Sequence, residues 1–216
     1  MHYIFTNIHT YVTIKPMNYE IILATTNSHK LKEVREILCP HKITVYGLND
    51  LNLRPEDVEE NADNYAGNAL IKAKSVQKLT TMPIIADDSG LEIEAMDNQP
   101  GLLSARYASM HGGHDKAIQH ILEVLKKKDN RKARFVCDII LLNEGNEPLL
   151  FEGIATGRIA DEPFGQGGFG YDPIFVSDEI NKTYAEMTQE EKNKVSHRGK
   201  ALKKMLTYLK INGKAK

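Results

Sequence analysis

Tyr19-Glu-Ile-Ile-Leu-Ala-Thr-Thr-Asn-Ser-His-Lys30 decides the fold. Its first half is a short apolar run and its second half a cluster of hydroxyls and an amide. Beyond it Leu31, Val34, Ile37 and Leu38 repeat at helical spacing until Pro40 stops them. The stretch therefore predicts a strand, a turn and a helix. A short apolar strand feeding directly into a helix is the unit from which α/β sheets are built.

The rest of the chain extends that unit. Lys42 to Gly47 reads as a second strand and residues 48–63 as a polar, acidic loop. Ala69, Leu70, Ala73, Val76 and Leu79 mark a second helix. Pro83-Ile-Ile-Ala86 reads as a strand ending in Asp87-Asp88-Ser89-Gly90. Ile118, Ile121, Leu122 and Leu125 mark a third helix, closed by the solvated run Lys126 to Lys128. Ala133 to Leu142 and Leu149 to Gly157 read as a hairpin around the turn signal Asn143-Glu-Gly-Asn146. A final helix spans about Thr188 to Leu209, with Thr188 and Glu191 as a capping box. Strands alternate with helices first and pair as hairpins later. The predicted class is α/β, with a central mixed, partly antiparallel sheet flanked by helices.

Composition narrows the function. The chain has 216 residues, 26% of them charged, and a net charge of −1. No global field attracts nucleic acid, so a polyanionic ligand must meet a local cluster of cations. Two distant cysteines, Cys39 and Cys137, fit a reducing compartment, and no apolar run spans a bilayer. These features point to the cytoplasm. Residues 1–17 read as an N-terminal extension, and 18–212 as a single domain of two lobes.

Four segments carry chemistry. Thr25, Thr26, Asn27, Ser28, His29 and Lys30 lie where a helix start offers free amides and a positive dipole end to an anion. Ordinary N-capping by Asn27 or Ser28 accounts for the same residues. Asp87 and Asp88 follow an apolar strand, and paired carboxylates suit Mg²⁺. Neighbours on a strand point to opposite faces, so one would ligate or activate water and the other support it. Gly165-Gln-Gly-Gly-Phe-Gly170 only mimics a dinucleotide fingerprint, since Tyr171-Asp172-Pro173 prevents a helix from following. It reads either as a loop presenting Phe169 and Tyr171 to a base, with stacking worth ~1–3 kcal/mol, or as a surface loop anchored by one ring. In Ser196-His-Arg-Gly-Lys200, His197 and Arg198 supply donors and charge, and Gly199 in mid-helix hints at a close approach. Lys182 is a further candidate cation. His111 and His114 lack the further ligands that zinc needs.

In combination these segments resemble the inosine triphosphate pyrophosphatases, the Ham1-like family. The matching stretches are Leu23 to Lys30, Glu60 through Ala69, Ala86 to Leu91, Pro100 to Tyr107, Gly167 to Pro173 and Ser196 to Gly199, in family order. The resemblance implies two lobes around a cleft, a homodimer, and Mg²⁺-dependent hydrolysis of ITP, dITP or XTP to the monophosphate and pyrophosphate. It implies that Thr25 to Lys30 hold the triphosphate and that Glu60, Asp88 and Asp87 form the metal site, with Asp88 as general base. Ser89, Phe169, Gly170, Tyr171, Asp172, Lys182, His197 and Arg198 would hold the rest of the nucleotide. Two positions depart from the pattern: Thr26 stands where the family has glycine, and Gly67 where it has glutamate. A pyrophosphatase for modified pyrimidines, a non-enzymatic nucleotide-binding regulator and an RNA-binding module are the competing readings.

Overall fold

The structure, a computed structural model, describes residues 18–143 and 147–215. The expected extension and the tip of the Asn143–Asn146 turn lie outside the described residues. β1 (Tyr19–Leu23) leads into α1 (Ser28–Leu38), and β2 (Ile43–Gly47) returns beside β1. α2 (Tyr65–Gln77) precedes β3 (Ile84–Ile93), and β4 (Gln99–Pro100) folds back on β3. α3 (Ser104–Met110) and α4 (His114–Leu125) lead into the long hairpin of β5 (Lys132–Leu142) and β6 (Leu149–Ile159). β7 (Phe175–Ser177), α5 (Gln189–Val195) and α6 (His197–Ile211) complete the order.

The sheet runs β2-β1-β3-β5-β6-β7, with β4 on the end of β3. β1 is parallel to β2 and β3, and all later pairings are antiparallel. Both faces are covered, so the strands read as continuous apolar runs. Ile21, Leu23, Ile85 and Ile139 face a core shared with α1 and α6, while Ile22, Ile84, Ala86 and Ile140 face α2. A third core gathers Leu91, Ile93 and Phe135 from the far ends of the same strands around α4. No helix among the described residues is long and apolar enough to cross a membrane.

Three expectations need correction. β3 does not end at the acids: it continues through Asp87–Gly90 to Ile93, fully registered against β5 from Ile84↔Leu142 to Ile93↔Ala133. Unbroken ladder pairing with β5 along this segment overrides the turn preference of Asp, Ser and Gly. It is β1 that stops, its last pair with β3 being Leu23↔Ile85. The crevice at the acids opens beside β3, past the end of β1. Secondly, the last helix is two helices. Ser196 is extended (φ −70°, ψ 156°) and its side chain caps α6 at the Gly199 amide. Gly199 thus sits in a first turn, and a Cβ there would stand 2.0 Å from the Asn193 carbonyl oxygen. Thirdly, α3 and β7 were not expected, being short and weakly patterned.

Candidate active site

A cleft of about 450 Å³ runs from the turn after β1 to the glycine-rich loop. At the turn, Asn27 Oδ1 accepts the amides of His29 (2.9 Å) and Lys30 (3.2 Å), so the N-cap reading holds for Asn27. Thr25, Thr26, Asn27 and Lys30 line the cleft at the same time. Ser28 opens the helix beside them. Thr26 is not among the residues with positive φ, so the turn does not need the glycine's freedom.

Strand alternation splits the two acids. Asp87 points toward α1 and α6 and is buried. It accepts from Arg198 Nε (3.0 Å) and Nη2 (2.8 Å) and pairs with Lys30 Nζ at 3.0 Å. Burial works to raise its carboxyl, and Lys30, Arg198 and Lys72 outweigh it, holding Asp87 well below the usual carboxylate range. Arg198 Nη2 also donates to Ser89 Oγ at 3.2 Å. Asp88 points toward α2, where Asn68 Nδ2 (3.1 Å) and Lys72 Nζ (3.3 Å) donate to it. Lys72 reaches Glu60 Oε2 at 2.8 Å as well. Glu60 and Asp88 therefore converge on one positive charge, whereas Asp87 is spent on the opposite face. The backbone carbonyl of Glu60 accepts from Arg106.

The two rings of the glycine-rich loop are placed differently. Tyr171 is the anchor: it is buried and donates its hydroxyl to the Ser104 carbonyl at 2.8 Å. Phe169 lines the cleft and stacks on His29 of α1 with centroids 5.2 Å apart. Asp172 is buried below it and accepts from the Phe169 amide (2.8 Å) and from Lys192 Nζ (2.5 Å). Gly168 adopts φ +71°, and a Cβ there would stand 2.1 Å from Asp172 Oδ2. Opposite, His197 is buried and stacked on Phe135 at 4.5 Å, its Nδ1 sealed without a partner. Burial, with Arg198 and Lys192 nearby, lowers its proton affinity well below the ordinary histidine value, so the ring is neutral at pH 7. The cleft thus joins a cationic turn, a pair of converging carboxylates and an aromatic slot.

The comparisons with known proteins bear on the whole of this arrangement. The model of the Ham1 family matches residues 21–208. This chain belongs to the Ham1 family. A dITP/XTP pyrophosphatase of Bacillus subtilis is 44% identical over 188 residues, covering 86% of this chain and 94% of the relative. A dITP/XTP pyrophosphatase of Clostridium perfringens is 41% identical over 199 residues, covering 88% and 97%. Among solved structures, a HAM1 protein from Coxiella burnetii superposes with a TM-score of 0.78 at 42% identity, over 88% of this chain and 98% of that one. The Ham1 protein of Staphylococcus aureus gives 0.78 at 35% identity, over 89% and 99%.

Four expected residues, Ser28, His29, Asp87 and Lys182, do not line the cleft of this Ham1 chain. Lys182 lies outside the cleft lining and pairs with Glu191 at 3.4 Å. A cation that sequence reasoning did not single out, Lys192, does line the cleft, and its Nζ stands 4.8 Å from the Phe169 centroid. Sequence reasoning also missed Glu33, Asn68 and Lys72. Lys72 carried a signal: it falls inside the spacing Ala69, Ala73, Val76 of the buried face of α2, where a lysine needs a partner. Glu33, buried on α1, joins Lys192 (2.7 Å) to Arg198 (2.6 Å). Burial opposes its ionisation, but Arg198 and Lys192 prevail and lower its carboxyl.

Proposed function

We propose that this protein hydrolyses non-standard purine nucleoside triphosphates, such as dITP, XTP and ITP, to the monophosphate and pyrophosphate. The observation that carries the reading is what one cleft brings together. The α1 start with its cations, the converging carboxylates Glu60 and Asp88, and the ring of Phe169 all line it. A nucleotide laid along it sets its triphosphate on Thr25–Lys30, its base on Phe169, and its α-phosphorus near Asp88. The printed activity of the Bacillus subtilis and Clostridium perfringens relatives supports the same substrates.

The donor set fits a magnesium ion. Glu60 and Asp88 already share a single cation, the Lys72 ammonium. No group of three or more His, Cys, Asp or Glu poised for a metal occurs among the described residues. Mg²⁺ needs only one or two protein carboxylates when phosphate oxygens and water complete its shell. Glu60 and Asp88 would hold it, while Asp87, bound to Lys30 and Arg198, would not. Bound there, the ion supplies charge neutralisation at the phosphates.

The chain's own groups do the rest. Asp88 accepts a proton from a water that attacks the α-phosphorus, and the bond to the β-phosphate bridging oxygen breaks. Lys30 and the α1 amides meet the charge gathering on the pyrophosphate. Phe169 stacks on the base, and neutral His197 and Arg198 offer donors to a 6-oxo group. An adenine amino group would leave such buried donors unpaired, which is how the site discriminates. The test is pyrophosphate release with magnesium. Turnover of dITP and XTP should far exceed that of dATP. Asp88→Asn should lower it by about 10²–10⁴-fold in a folded protein, the span of a lost general base. Equal rates on dATP, or a fully active Asp88→Asn, defeat the reading. We also expect a homodimer, which light scattering would register as twice the chain mass.

A further inference from the structure

One cleft-lining side chain takes no part in the machinery described above. His114 is the first residue of α4 and is exposed at the cleft. Its ring meets the buried Tyr171 edge-on, with centroids 5.4 Å apart at 73°. No hydrogen bond or ion pair to another described residue engages it. Its Nε2 lies 3.6 Å from the point where a Cβ on Gly170 would stand, and Gly170 has φ +64°. A side chain at 170 would be strained by that backbone conformation and would stand in van der Waals contact with the imidazole.

Position decides what it meets. In the orientation proposed above, the loop of Phe169, Gly170 and Tyr171 forms the part of the cleft that takes the base. His114 adjoins Gly170 and Tyr171, so it borders the end that takes the nucleoside. We infer that His114 is a substrate-contacting residue, whose imidazole forms one hydrogen bond with a polar atom of the purine or its sugar. Tyr171, pinned to Ser104, holds the ring edge-on and limits its rotation. The residue therefore contributes affinity for the nucleoside and nothing to the phosphates. This inference rests on the nucleotide orientation proposed above.

Two measurements separate the inference from that reading. Pyrophosphate release by the wild-type protein from dITP tests the reading. Calorimetric titration of wild type and His114→Ala with dIMP, and separately with inorganic tripolyphosphate, tests the inference. The variant should weaken dIMP binding and raise KM for dITP about three- to tenfold, the range of one neutral hydrogen bond. Its kcat should stay within about twofold and its tripolyphosphate affinity should not change, since no transition-state or phosphate contact is removed. His114→Gln, with a donor and an acceptor, should recover part of the loss. Unchanged dIMP binding in His114→Ala overturns the inference, as does an equal loss for tripolyphosphate. Wild-type protein that binds dIMP through His114 but never releases pyrophosphate would sink the catalytic reading alone.

Discussion

Replacing Glu33 by glutamine should be among the most damaging isosteric changes in this protein. The carboxylate is 5% exposed. Its oxygens take Lys192 Nζ at 2.7 Å and Arg198 Nη1 at 2.6 Å. Lys192 continues to Asp172 at 2.5 Å, and Arg198 to Asp87 at 2.8 Å, which in turn holds Lys30 at 3.0 Å. The chain Asp172–Lys192–Glu33–Arg198–Asp87–Lys30 has three negative and three positive members, so it is balanced (3 − 3 = 0). Glutamine keeps the shape and removes one charge, leaving a buried surplus of one cation. Breaking a buried pair from one side costs about 3–5 kcal/mol. Urea unfolding should show that loss as a lower midpoint at unchanged slope. At about 2–4 °C per kcal/mol for a chain of this size, the melting temperature should fall by about 6–20 °C.

The sign of the pH dependence follows from the same contacts. Arg198 and Lys192 lower the Glu33 carboxyl from its ordinary 4.5 against the opposing effect of burial. Its contribution is complete above about pH 4.5, where the unfolded carboxyl is also ionised, and fades as pH falls through the lower folded value. The gap between wild type and Glu33→Gln should therefore be constant near neutrality and narrow in acid. Adding Lys192→Met removes a cation and restores balance, so the double variant should lose less than the sum of the singles. A single-variant loss below about 1 kcal/mol, strict additivity, or a gap that widens in acid would refute the idea of one coupled buried chain.

Two further outcomes follow from the site. Gly199→Ala should cost about 1–3 kcal/mol in thermal or urea unfolding, because the new Cβ meets the Asn193 carbonyl oxygen at 2.0 Å; a variant as stable as wild type would show that the break at Ser196 yields freely. Lys192→Ala should weaken dITP binding, whereas Lys182→Ala, paired only with the rim residue Glu191, should leave KM and kcat within about twofold, within the small effect of an exposed pair. Reversed results in steady-state kinetics would return the binding role to Lys182.

The strand–turn–helix at residues 19–38 was legible because apolar period and turn chemistry agree there. That Asp87 and Asp88 leave the strand on opposite faces was legible too, from strand alternation alone. The continuation of β3 was not: Asp, Ser and Gly are turn formers, and only the ten-residue pairing with β5 keeps them extended. The break in the last helix was hidden for a related reason. Ser196 sits within a helical period, and only the Asn193 carbonyl packed against Gly199 reveals a cap rather than a helix interior. Choosing between Lys182 and Lys192 lay beyond local reasoning. The partners that hold Lys192, Glu33 and Asp172, come from α1 and the loop after β6. Only the assembled sheet brings those segments together.

That continuation of β3 matters most for the chemistry. Had the strand ended at Asp87, a turn would have placed both carboxylates toward the same opening. There they would compete for Lys30, Lys72 and Arg198 and repel each other. Because β5 holds the segment extended, successive side chains leave on opposite faces. Asp87 becomes the fixed counter-ion of Lys30 and Arg198, two cations that line the cleft. Asp88, one residue on, keeps only Asn68 and Lys72 and stays at the cleft beside Glu60. One group is locked by burial among cations. The sheet itself, through its alternation, therefore gives two identical neighbours different surroundings. An insertion of one residue between them would put both carboxylates on one face of the sheet and end that division.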